Sequence, residues 1–357
     1  MNQARPLVPS RFVRPSIPRP GGGRDRAALV NESYEAIAEG SRSFAFASKL
    51  FDKATRERVW MLYAWCRRCD DLADAQDRGG ELGDQAGIED RLQAIKVLTR
   101  RALEGGATAD VAFDALGQVA GEAGITLDMA NEVIAGFAMD ANGFSPHSEK
   151  ELMRYCYHVA GAVGVLMARV MFAPNDSFIY DRACDLGLAF QLANVARDVI
   201  EDAAAGRCYL PDDWLEDAGL TRENYADEDN RFALAAVSAR LVDRMEMYEA
   251  ASRLGAKHLR FRQRWAVLSA ARIYGAIGRK VRNRGQLAWD TRTYVPWYEK
   301  LVHVIAAFGE ADDAVSGTVA ERRGRDKTRT RARAVAALPA RRPAPRRRVV
   351  DLRRAWR

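Results

Sequence analysis

Between Ala27 and Phe308 the apolar residues recur three and four positions apart, and no stretch of useful length alternates in the way a strand would. The spacing predicts helices over Ala27–Gly40, Ala45–Leu50, Thr55–Ala75, Ile88–Glu104, Ala109–Gly121, Thr126–Met139, Glu149–Met171, Cys184–Ala205, Arg231–Ala256, Gln263–Arg284 and Trp297–Phe308. Ser41 stands where it can cap the second of these, and residues 76–88, rich in Gly and Asp, read as a loop. No linker or repeat divides residues 27–320. The expectation is one all-α domain with a central cavity, and no apolar run is long enough to span a bilayer.

Two of the helices carry polar residues where a core helix should not. In Cys184–Ala205, Gln191, Asn194, Asp198 and Asp202 stand at i, i+3, i+7 and i+11, with Glu201 beside them. In Thr55–Ala75, Tyr63, Arg67, Asp70 and Asp74 stand at i, i+4, i+7 and i+11, with Asp71 adjacent. Residues three and four apart share a face, so each helix presents a line of carboxylates on an otherwise apolar cylinder. One such line is ordinarily a solvated surface. Two matching lines, each with an arginine close by (Arg67 and Arg197), point instead to facing helices that hold divalent cations and a diphosphate between them. Buried carboxylates repel unless cations join them, and Mg²⁺ takes carboxylate and phosphate oxygens together.

Charge changes the picture at the ends. The chain carries +7 overall, but residues 1–26 hold +5 and residues 321–357 hold +12, leaving the body at −10. Both ends read as disordered, the first with five prolines and Gly21-Gly22-Gly23, the second with an Arg-rich, Pro-broken run. An acidic body without interleaved basic and aromatic residues argues against nucleic-acid binding. Five cysteines, an odd number without a secretory signal, fit reduced thiols in a cytosol. Cys66-Arg-Arg-Cys69 has no second CxxC or His pair to make a zinc site. His158 reads as a core histidine. Gly161 and Gly164 either allow close helix packing or make room for a long chain on the Tyr155–Val159 face.

DDLAD and ARDVIEDAAAGRCYLP resemble the two aspartate-rich motifs of the squalene/phytoene synthase family. YAWCRRCDD and RDVIEDAAAGRCYLPDDWL are most similar to its bacterial members that make phytoene. The resemblance spans about residues 30 to 310 and implies an isoprenoid-synthase-type helical bundle. It implies that Asp70, Asp71, Asp74, Asp198, Glu201 and Asp202 hold Mg²⁺, or Mn²⁺ in its place. Tyr63, Arg67, Tyr155 and Arg197 are then candidate catalytic residues. Ser41, Arg42, Phe44, Val159, Gly164, Gln191, Asn194 and Tyr274 would line the substrate. Lys280, Arg282 and Arg284 either meet phosphate or solvate a helix end.

The implied reaction is head-to-head condensation of two geranylgeranyl diphosphates through prephytoene diphosphate to phytoene, without NADPH. Tyr155 is the candidate for guiding proton removal, with the released diphosphate as the alternative base. A squalene or dehydrosqualene synthase using farnesyl diphosphate would share this site. A non-catalytic relative would be expected to have lost carboxylates, and both DxxxD sets are intact here. A C40 hydrocarbon product and a basic tail imply a cytoplasmic bacterial enzyme held peripherally on an anionic membrane.

Overall fold

Several helices start at a side chain that accepts a hydrogen bond from the first turn, which satisfies an otherwise orphaned N–H. Asp52 accepts from Thr55 N, Asp110 from Ala112 N, Thr126 from Met129 N, Ser148 from Glu151 N and Asp176 from Phe178 N. The computed structural model describes residues 18–40, 42–76 and 87–312. In these the helices are α1 (Arg26–Gly40), α2 (Arg42–Ser48), α3 (Lys53–Ala73), α4 (Ile88–Leu103), α5 (Val111–Ala123), α6 (Leu127–Ala141), α7 (Glu149–Cys156), α8 (Ala162–Val170), α9 (Ser177–Ala204), α10 (Asp212–Asp217), α11 (Arg231–Ala256), α12 (Phe261–Arg284) and α13 (297–312). Among the described residues there is no strand. Ser41, the side chains of Arg42 and Phe44, most of the 76–88 loop, residues 1–17 and the basic 321–357 segment lie outside the description.

The sequence predicted one unbroken helix over Glu149–Met171. The structure inserts a π turn at Tyr157–Gly161 between α7 and α8. Such a turn rotates the faces on either side of it and is common at functional sites. The glycines here serve close packing. A β-carbon on Gly164 would lie 2.2 Å from the Ala183 carbonyl oxygen, and one on Gly187 would lie 2.2 Å from that of Ala160. The segment from the π turn through α8 therefore meets α9 backbone to backbone.

Residues 18–26 differ from the expected disordered arm. Pro20–Gly23 forms a short 3₁₀ turn in which Gly21 and Gly22 have φ of 67° and 60°, a region that favours glycine. Arg24 pairs with buried Asp114 at 2.7 Å, and Arg26 pairs with Glu57 and Glu122. The ordered domain thus begins before residue 27.

Two apolar clusters hold the bundle. One gathers Trp65, Phe113, Leu116 and Ile134 from α3, α5 and α6. The other gathers Leu192, Trp214, Leu241 and Met245 around α9 and α11. α9, the longest of these helices, packs against α8, α11 and α12. The cavity lies where α3, α6, α8, α9 and α12 face one another.

Candidate active site

The cavity has two connected chambers. The polar one, about 480 Å³, is lined by Asp70, Asp74, Asp140, Asp198 and Asp202 together with Arg67, Arg197 and Arg207. The apolar one, about 390 Å³, runs between α8, α9, α11 and α12. Tyr63, Val159, Gln191 and Asn194 line both, so they mark the junction.

Three helices deliver the carboxylates from their C-terminal ends. Asp70 and Asp74 close α3, Asp140 is the penultimate residue of α6, and Asp202 lies in the last turn of α9 with Asp198 one turn earlier. A helix C-terminus already carries partial negative charge, so acids there oppose the macrodipole. With three such ends converging, the chamber is built to receive cations.

In this structure arginines fill that role. Arg67 pairs with Asp70 at 3.0 Å and with buried Asp71 at 2.9 Å. Arg207 reaches Asp74 at 2.7 Å. Arg197 grips Asp198, Nε to Oδ1 at 2.7 Å, and Arg292 pairs with Asp198 at 3.1 Å and with Glu201. Among the described residues no three carboxylate, Cys or His side chains are grouped closely enough to hold a metal ion as they stand. The donor set nevertheless fits a hard divalent cation, because its ligands are all oxygen and its charge is in excess.

The excess shows in proton affinity. Burial and the neighbouring Asp198 push the Asp202 carboxyl up to about 7. Burial pushes Asp70 up to about 6, with Arg67 opposing and Asp74 adding to the rise. Burial also lifts Asp140 to about 6, although the Tyr209 and Tyr155 hydroxyls donate to it at 2.7 Å and 3.1 Å. Tyr155 is itself stacked between Phe144 and Tyr209 at 5.2 Å and 4.7 Å, and burial raises its hydroxyl well above the usual range. At the apolar end Tyr274 stacks on Phe190 at 4.3 Å.

The structure thus brings Tyr63, Arg67, Asp70, Asp74, Tyr155, Val159, Gln191, Asn194, Arg197, Asp198 and Asp202 to one polar chamber, and Gly164 and Tyr274 to the apolar one. It does not place Asp71 or Glu201 on the chamber wall. Each sits one residue, about 100° around the helix, from a chamber-facing aspartate. Asp71 supports Arg67, and Glu201 is engaged by Arg292. Lys280 and Arg282 pair with Glu299 and Glu246, and Arg284 bonds to Thr291 and Thr293, so these three serve the surface. Sequence reasoning missed Asp140, Arg207 and Tyr209 as site residues, and Arg292 behind them. An acid in the last turn of an apolar helix, in line with Val133 and Phe137, was the available signal for Asp140.

Comparisons with known proteins agree with this geometry. Residues 37–299 match the profile of the family described as squalene/phytoene synthase. The chain is 47% identical over 296 residues to a phytoene synthase of Pseudescherichia vulneris, covering 82% of this chain and 96% of that protein. It is 46% identical over 286 residues to a 15-cis-phytoene synthase of Pantoea ananas, covering 80% and 92%. Its structure superposes on a crystal structure of a dehydrosqualene synthase in complex with ligand, with a TM-score of 0.73, 25% identity and coverage of 81% and 98%. Profile, relatives and fold converge with the two aspartate-lined helices on one conclusion: the chain belongs to the squalene/phytoene synthase family.

Proposed function

We propose that this chain is a phytoene synthase that joins two geranylgeranyl diphosphates head to head, through prephytoene diphosphate, and releases phytoene without a reductant. The observation that carries the reading is the junction of an acidic, arginine-bearing chamber with an apolar one. A prenyl diphosphate has the same two ends. The identity to the two bacterial phytoene synthases supports the choice within the family.

Asp70, Asp74, Asp198 and Asp202 would hold the metal, with Asp140 beside them. Mg²⁺ or Mn²⁺, when bound, supplies charge neutralisation and Lewis acidity to the departing diphosphate. Arg67, Arg197 and Arg207 line the same chamber and would offer their guanidiniums to the phosphate oxygens of a bound diphosphate. Gln191 and Asn194, at the junction, fix where the diphosphate end stops and the hydrocarbon begins. Tyr63 and the Phe190–Tyr274 stack offer aromatic faces to an allylic cation, and the apolar wall keeps water from it. Tyr155 directs the proton that is finally lost, its hydroxyl held by Asp140.

A C40 hydrocarbon has no solubility in water. The enzyme therefore works at the cytoplasmic face of an anionic bilayer, and the basic 321–357 segment aids its attachment. No described helix is long and apolar enough to cross one.

Purified protein incubated with C15 and C20 diphosphates, with Mg²⁺ and with or without NADPH, tests the reading. Phytoene from the C20 substrate without NADPH is expected. Preference for farnesyl diphosphate, or a strict need for NADPH, moves the assignment to the squalene-forming branch.

A further inference from the structure

α13 is amphipathic in the wrong sense for a surface helix. Its exposed side carries Trp297, Tyr298, Leu301, Val302, Ile305 and Phe308, with Trp297 76% exposed, Val302 63% and Ile305 64%. Two of its charged side chains, Glu299 and Glu310, are drawn into ion pairs with neighbouring helices, and the exposed acid, Asp312, lies at its last residue. Glu299 pairs with Lys280 at 2.6 Å, and Glu310 pairs with Arg253 and Arg272 at 2.8 Å. Between Leu301 and Gly309 no exposed position is charged. A contiguous apolar surface of this kind marks an interaction site rather than chance exposure.

The helix is firmly seated. Val304, Ala307 and Ala311 are buried, Trp265 Nε1 donates to the Val304 carbonyl at 2.8 Å, and Arg264 donates to that of Ala311 at 2.9 Å. Phe308 meets Trp265 and Phe261 edge to face. The outward face is therefore presented by a fixed scaffold, not by a frayed end.

We propose that this face of α13 is the element that inserts into the headgroup boundary of an anionic bilayer. The proposal rests on the reading that the product is a water-insoluble hydrocarbon. Trp and Tyr at one end of the face are the side chains that settle at a membrane interface, and Leu, Val and Ile along it supply the buried area. Later in the sequence, residues 321–357 carry +12, a charge that complements anionic headgroups. The same charge disfavours a second copy as the occupant, because every copy of the chain carries the same positive excess. It also makes the segment, which is mostly Arg, Ala and Pro, a poor cover for the face itself.

The test uses the full chain and vesicles of phosphatidylglycerol and phosphatidylcholine. Wild-type protein should co-sediment with them, and brominated lipid should quench a Trp signal that Trp297→Phe removes. The double variant Val302→Asp/Ile305→Asp changes only exposed positions, so its thermal transition should match the wild type. Its vesicle partitioning should fall about tenfold or more, while turnover in detergent is unchanged. Equal partitioning of the variant, or no quenching of Trp297, overturns the proposal. So does a wild-type dimer by light scattering that the variant makes monomeric. If no C20 substrate is consumed but the lipid results hold, the activity reading fails and the docking face stands.

Discussion

Arg207 reaches Asp74 across 2.7 Å and 133 residues of chain, tying the loop that follows α9 to the last turn of α3. The contact joins the two acidic motifs at their C-terminal ends and holds a guanidinium inside the polar chamber. Arg207→Gln should keep the fold and lose roughly a hundredfold in turnover, the scale of removing one preorganised donor to developing charge. A near-normal rate with unchanged thermal melting would show that Arg207 only staples the motifs.

The raised carboxyls of Asp70, Asp140 and Asp202 carry a sign for stability. Between the ordinary carboxylate range and about 7, the folded protein binds more protons here than the unfolded chain does. Metal-free protein should therefore lose stability as pH rises through this window and level off above it. Mg²⁺ should restore Tm most above pH 7, where the ligands are ionised, and Asp202→Asn should melt higher than wild type at neutral pH while losing activity. Calorimetry across the window, with EDTA and with Mg²⁺, measures all three.

Tyr155→Phe removes the hydroxyl that donates to Asp140 and keeps the ring between Phe144 and Tyr209. Stability should change little. Turnover should fall by roughly ten- to a hundredfold, as for a lost proton-guiding group. The acidic limb of the pH–rate profile should move to higher pH, because that hydrogen bond holds the Asp140 carboxyl down. A profile that keeps its shape and height would remove Tyr155 from the reaction.

Gly187→Ala places a methyl against the Ala160 carbonyl, an atom of main chain with no rotamer to escape into. A cost of about 1–3 kcal/mol is expected, as for overpacking elsewhere, read as a lower Tm and a lower urea midpoint. An unchanged midpoint would mean that the π turn and α9 part easily.

Much of this site is local in the sequence. Tyr63, Arg67, Asp70 and Asp74 lie within three turns of one helix, and helical spacing alone aligns them. The same holds for Gln191, Asn194, Asp198 and Asp202. What the spacing hides is contributed from a distance. Asp140 becomes a site residue only when Tyr155 and Tyr209, 15 and 69 positions away, donate to it. Arg292 reaches Glu201 across 91 residues from a turn with no pattern of its own. Asp71 and Glu201 show the other side of this, since a run of acids in sequence is split around the helix by its 3.6-residue period. The π turn after Cys156 leaves no trace in apolar spacing, because the residues around it remain helical. Residues 18–26 looked like a loose arm by composition, yet their glycines allow the close turn and two of their arginines find buried or half-buried acids.

The glycine contact between α8 and α9 also decides where the enzyme can be retuned. The apolar chamber has two fixed points on its α8–α9 wall. Where main chain rests on main chain, at Gly164 and Gly187, there is no side chain to trim and no gap to fill. The facing half is floored by small residues of α11 and α12: Ser252, Ala256, Ala266 and Ala270. Lengthening these shortens the room for a hydrocarbon one methylene at a time without disturbing the helix pair opposite. Variants that switch preference between C15 and C20 substrates should therefore include these four positions and avoid Gly164 and Gly187, and a library spread over both walls, scored by product length, would read that asymmetry directly.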